Sequence, residues 1–187
     1  MKTSYWYWKN VFSKDKLLEL NKFIEDNFDA YEHPDGPAKG KNNKKIKYCD
    51  VKLIYYVKVK KFLDDLLNEC YSVNQSEYGF NIWPIYNNRF INYNVYTLKN
   101  KGNYGWHLDS LSPDKCSDIK FTILINTSTK KYEGGDLEHY VHDVHKVEEF
   151  TPGSVVMMPS YVLHRVKPVV KGERKTIAIF LHGPKFI

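Results

Sequence analysis

Residues 152–184 read PGSVVMMPSYVLHRVKPVVKGERKTIAIFLHGP. Pro152-Gly153 marks a turn, an apolar strand follows over 154–158, and a second turn leads into 162–169. Lys171-Gly172 then turns a hairpin into 174–182. In that last strand Arg174, Thr176, Ala178 and Phe180 share one face, because strand side chains alternate. An arginine aimed into an otherwise apolar interior is costly unless it meets an anion. Its planar fork suits a carboxylate.

Outward from this stretch the same texture continues. Short runs rich in Tyr, Ile, Val, Phe and Thr occupy 78–86, 89–98, 104–109, 119–126 and 135–141, each bounded by Gly, Pro, Asn, Asp or Ser. With no helical pattern between them, these strands predict a mainly β, antiparallel jelly-roll core. The first third has the helical spacing instead. Ser13 caps a helix carrying Leu17, Leu20, Ile24 and Phe28, and Val59, Phe62, Leu63, Leu66, Leu67 and Cys70 define a second. Between them Pro34, Asp35, Gly36 and Pro37 break the chain ahead of the lysine-rich GKNNKKIK at 40–47. No internal repeat or linker divides the chain. A single domain over 1–187 is expected, with helical support and a loop over 1–76 and the jelly roll over 77–187.

Two His-x-Asp pairs compete as metal ligands. In YGWHLDS (104–110), His107 and Asp109 project from one face of a strand while Trp106 and Leu108 face away. In YEHPDGP (31–37), His33 and Asp35 are separated by Pro34 and followed by Asp-Gly-Pro, which places them in a turn. The later pair is the better candidate. His164, from a strand facing the same cavity, supplies a third ligand. Two imidazoles and one carboxylate make the facial triad of non-haem Fe(II) oxygen chemistry.

At this point YGWHLD, YEGGDL (132–137), PGSVVMMPS and HRVKPVVKGERKTIAIF together resemble the Fe(II)/2-oxoglutarate-dependent dioxygenases. The resemblance is to their prolyl 4-hydroxylase-like branch and covers about Tyr93 to Pro184. It implies a double-stranded β-helix with the N-terminal helices packed outside. It implies that His107, Asp109 and His164 ligate Fe(II), and that Arg174 holds the distal carboxylate of 2-oxoglutarate. Tyr96, or failing that Tyr93, is expected to assist, with Tyr104 and Thr176 beside them. Asp109 favours hydroxylation, since halogenating relatives lack this carboxylate. Phe180 matches a position beside the substrate that is often tryptophan. Lys115 and Lys120 stand near a place where prolyl hydroxylases often put an arginine toward the substrate. The implied reaction is hydroxylation of a prolyl residue in a peptide or protein, with O2 consumed and 2-oxoglutarate converted to succinate, and ascorbate as accessory reductant. A free amino acid or other small molecule is the alternative substrate, and a non-catalytic metal-binding jelly roll the alternative role. The loop at 33–48 could act as a lid over a peptide groove.

Other residues read more plainly. His139, His142 and His145 lie three apart, which one strand does not bring onto one face, so they are expected to be exposed polar residues. Glu133-Gly-Gly-Asp136 suggests a turn or bulge ahead of a strand. Arg165 should face away from His164. Tyr5, Trp6, Tyr7 and Trp8 are expected to pack the N-terminal segment onto the barrel.

The net charge of +6 invites a nucleic-acid partner, but only Arg89, Arg165 and Arg174 among 28 basic residues are arginine. Base reading and bidentate phosphate contact lean on arginine, so nucleic acid is not the expected partner. No apolar run is long enough to span a bilayer, and the N-terminus lacks an apolar signal-peptide core. Cys49, Cys70 and Cys116 have no CxxC spacing, consistent with reduced thiols and a cytoplasmic protein. The Lys, Asn and Ile bias is that of an A+T-rich microbial or viral genome.

Overall fold

The computed structural model describes residues 4–29, 46–110 and 116–186. Two antiparallel sheets face each other. The larger runs β1-β10-β6-β13-β4-β3, with β1 Trp6–Trp8, β3 Asp50–Tyr55, β4 Phe90–Thr97, β6 Ser117–Asn126, β10 Val155–Pro159 and β13 Glu173–Pro184. The smaller runs β2-β5-β11-β8-β9, with β2 Lys47–Tyr48, β5 Asn103–His107, β8 Leu137–Val141, β9 Asp143–Lys146 and β11 Leu163–Val166. A short ribbon of β7 (Glu133–Gly134) and β12 (Val169–Lys171) closes one end.

The larger sheet is buried on both faces, and the period-2 alternation decides which residue goes where. From β13, Ile177, Ile179 and Leu181 pack outward with Val155 and Met157 of β10 and Phe121, Ile123 and Ile125 of β6. Against that layer lie helix α1 (Lys14–Asn27), through Leu17, Leu20 and Ile24, and helix α2 (Tyr56–Val73), through Val59, Leu63, Leu66, Leu67 and Cys70. The opposite face, between the sheets, is lined by Tyr96, Leu137, Phe150, Val156, Met158, Val166 and Val169. Arg174, Thr176, Ala178 and Phe180 share that inner face. Ser13 caps α1 as its sequence predicts, its hydroxyl accepting from the Lys16 amide at 3.3 Å.

The expected strand at 78–86 does not form. Residues 74–78 instead extend α2 as a π-helical turn, and Gly79 takes a left-handed φ of 71° to leave it. Pro84 interrupts the segment beyond Gly79. The Trp83 amide still donates to the His182 carbonyl at 2.8 Å, so this segment covers the end of β13 without a ladder. The first third also contributes strands that helical periodicity hides: β3 pairs with β4, and β1 pairs with β10 from Trp6↔Met157 to Trp8↔Val155. The aromatic N-terminal run thus packs onto the barrel as expected. Among the described residues no helix is long and apolar enough to cross a membrane.

Candidate metal centre

His107 ends β5 and His164 lies on β11, directly opposite it in register. Their rings are 4.1 Å apart between centroids. Asp109 lies two residues beyond His107, where its amide donates to the Ser160 carbonyl at 3.0 Å and fixes the chain past the strand. Its carboxylate oxygens stand 3.7 Å from His107 Nε2 and 3.4 Å from His164 Nε2. One ligand atom from each of the three falls within 4.8 Å of the others.

Backbone carbonyls hold both imidazoles in one tautomer. His107 Nδ1 lies 2.7 Å from the Gly105 carbonyl and His164 Nδ1 lies 2.9 Å from the Val162 carbonyl. A carbonyl only accepts, so Nδ1 carries the hydrogen and Nε2 presents its lone pair to the third ligand. Burial, and then the facing His164, push the His107 pKa down to about 3, which keeps the ring neutral and able to ligate. The Thr122 hydroxyl donates to Asp109 Oδ2 at 2.8 Å. Thr122 is the one polar residue in the apolar run FTILI at 121–125, a signal that alternation could have exploited. Tyr104 stacks on His107 at 3.4 Å between centroids. The pKa of its phenol is raised by burial and then by Asp109.

Along the inner face of β13 sits Arg174. It is 1% exposed, and its Nε and both terminal nitrogens find no hydrogen-bond partner among the described residues. Tyr96, directly opposite on β4, lies 5.1 Å from the guanidinium carbon, and Phe150 lies 5.3 Å away on the ring side. Thr176, also buried, is the next residue on this face. Gly135 makes room for the arginine stem, since a Cβ there would stand 2.7 Å from Arg174 Cδ. Lys47 Nζ donates to the buried Asn94 Oδ1 at 2.8 Å, and sequence reasoning singles out neither residue.

Tyr93 is a correction. It lies three residues from Tyr96 on the same strand, hence on the opposite face. Its hydroxyl donates to Glu25 Oε1 at 2.8 Å on α1, outside the cavity. Lys120 is buried, with Nζ 3.4 Å from the centre of the Phe186 ring. Lys115, the His33–Asp35 pair and residues 33–45 of the expected lid lie outside the described residues, while 47–48 form β2. Phe180 lines a shallow cleft with Trp83, Pro84, Ile85, Tyr86 and Arg89.

Arg165 does face away from His164, bonding Glu138 Oε2 at 2.6 Å and lying 4.6 Å over Trp106. Gly134 and Gly135 take left-handed φ values of 73° and 67°, as a turn at 133–136 requires. His139 departs from its expected exposure, being buried. The reason is a hairpin: His142, at φ 65°, turns β8 back into β9.

Residues 91–182 match the family model described as the 2OG-Fe(II) oxygenase superfamily. A PKHD-type hydroxylase of Gloeothece citriformis is 42% identical over 74 residues, 38% of this chain and 33% of that protein. The chain therefore spans about a third of the length of this curated relative. A Pseudomonas putida prolyl-4-hydroxylase superposes with a TM-score of 0.68 at 16% identity, covering 98% of this chain and 94% of that one. The viral collagen prolyl hydroxylase of Paramecium Bursaria Chlorella virus-1, in its 2OG complex, gives 0.69 at 14%, with 97% of each chain covered. These structures share the jelly-roll fold.

Proposed function

We propose, on the premise that the segment 91–182 belongs to the 2OG-Fe(II) oxygenase superfamily, that the protein is an Fe(II)- and 2-oxoglutarate-dependent hydroxylase of prolyl residues in a peptide or protein. The observation that carries this reading is the buried, unpartnered guanidinium of Arg174 inside the barrel that also holds the triad. A buried cation without a partner is a strongly unfavourable arrangement. A carboxylate from a dicarboxylic acid relieves it, and Tyr96 and Thr176 lie beside it.

The donor set fits ferrous iron: two neutral imidazoles and one carboxylate, converging from one side and leaving the other positions open. When bound, Fe(II) and 2-oxoglutarate supply O2 activation coupled to release of CO2 and succinate, and thereby hydroxylation of a C–H bond. The chain's own residues position and insulate. The Gly105 and Val162 carbonyls fix the two rings, and Thr122 fixes the carboxylate. Tyr96 and Phe150 wall off the guanidinium from water. Arg174 binds and transfers no proton.

Prolyl specificity is supported by the likeness to prolyl hydroxylases. The alternative is a free amino acid or other small molecule. Anaerobic addition of Fe(II) and 2-oxoglutarate should produce the charge-transfer absorption of the chelate. Its absence returns the chain to a metal-binding jelly roll. Succinate formation with an added oxygen on proline-containing peptides supports the prolyl reading; turnover confined to free amino acids replaces it.

A further inference from the structure

The hairpin that buries His139 also builds a second histidine pair. His139 and His145 are direct cross-strand partners on β8 and β9, so both side chains leave the same face of the sheet. Their ring centroids are 5.5 Å apart and the planes differ by 36°. His139 is 6% exposed, and its Nδ1 is buried with no hydrogen-bond partner. The neighbouring polar group does not satisfy it: Tyr5 packs its ring edge-on against His139 at 5.2 Å, but its hydroxyl donates to Glu149 Oε2 at 3.0 Å. His145 is exposed.

Two imidazoles at this separation bracket one ion. With metal–nitrogen bonds of about 2.0–2.1 Å, ligation by both rings places their centres roughly 5–6 Å apart. Imidazole suits zinc, copper and nickel, whereas oxygen-seeking magnesium and calcium prefer carboxylates and carbonyls. A bound ion also satisfies the orphaned Nδ1, which otherwise carries a desolvation cost.

We propose that His139 and His145 form a second metal site, for a late divalent transition ion such as Zn2+, with water completing its coordination. The site is separate from the triad of His107, Asp109 and His164. It stands one strand further along the sheet, with His139 opposite His164, and it does not depend on the proposed hydroxylation.

The test is zinc titration of metal-free protein against a chromophoric chelator. Wild type, His145→Gln, His107→Ala/Asp109→Ala and the combined variant are compared, with circular dichroism confirming the fold of each. His145 is exposed, so its replacement leaves the core alone. The expected result is that His145→Gln lowers the zinc bound by one equivalent in both backgrounds, while the triad variant still binds the equivalent that depends on His145. X-ray absorption of that equivalent should show scattering from two imidazoles. Unchanged stoichiometry in His145→Gln, or no zinc retained by the triad variant, overturns the second site. Loss with His145→Gln but not with the triad variant leaves this site standing and counts against the triad instead.

Discussion

Arg174 and Tyr96 stand directly opposite each other on β13 and β4, the guanidinium carbon 5.1 Å from the centre of the phenol ring. The ring face offers a cation some compensation, worth about 2 kcal/mol when desolvated, which falls short of what three unpaired N–H-bearing nitrogens lose on burial. The arrangement is one in which ligand-free stability is traded for affinity. Arg174→Met, similar in length and apolar, is expected to raise ligand-free stability by about 1–4 kcal/mol. The same variant should weaken 2-oxoglutarate about 30-fold or more, since truncating one member of a buried charge pair costs about 2–5 kcal/mol. Thermal melts with and without 2-oxoglutarate, in the presence of Mn2+, read both signs at once. A variant that is less stable without ligand and equally stabilised by it contradicts the assignment.

Thr122 touches no ligand position itself, yet it holds Asp109 Oδ2 at 2.8 Å. Thr122→Val keeps the shape and removes the donor. Metal affinity should fall about 10–100-fold, as it does when partners of metal ligands are lost. Mn2+ binding followed by electron paramagnetic resonance measures this directly, and unaltered far-ultraviolet circular dichroism separates it from misfolding.

The candidate metal ligands and Arg174 are legible because the two-residue spacing of extended chain puts His107 with Asp109, and Arg174 with Thr176, on one side, and strand pairing then brings them together. The same rule excludes Tyr93, since residues 93 and 96 differ by an odd number and cannot line one cavity. The hidden features need tertiary information. His139 meets His145 only because His142 adopts a left-handed turn, and Gly or Asn would signal that turn far more clearly than histidine. β3 (Asp50–Tyr55) runs straight into α2 at Tyr56, with no Gly or Pro to mark the boundary.

Glu25 ties α1 to the larger sheet. Lys175 Nζ lies 2.6 Å from its Oε1 and the Tyr93 hydroxyl donates to the same atom at 2.8 Å. Burial pushes the Glu25 carboxyl up, but the hydrogen bonds from Lys175 and Tyr93 outweigh it, and the net pKa lies below the ordinary 4.5. A depressed carboxylate pKa means the unfolded chain takes the proton first. The stabilisation is therefore complete above the unfolded pKa and disappears as pH falls through the lower folded value. Glu25→Gln should flatten the fall in urea midpoint below about pH 4.5, where wild type loses this contribution. Parallel acid limbs for the two proteins would refute the linkage.

Gly135 tests whether the arginine's position, and not merely its charge, matters. The backbone there has φ 67°, and a Cβ would lie 2.7 Å from Arg174 Cδ and 3.0 Å from Val169 Cγ2. The first contact is closer than side chains tolerate and the second is tight, and the arginine stem sits in a packed wall with little room to retreat. Gly135→Ala must therefore strain the turn and displace the guanidinium from its line with Tyr96 and Thr176. The triad lies on other strands, so Mn2+ affinity should be nearly unchanged. The 2-oxoglutarate affinity should fall at least about tenfold, the loss expected when a charged group is displaced by about an ångström from its partner. Titration of 2-oxoglutarate into the Mn2+-loaded variant, beside the metal titration alone, distinguishes the two. Equal losses of metal and cosubstrate would show instead that the 133–136 turn supports the whole barrel end and has no particular hold on Arg174.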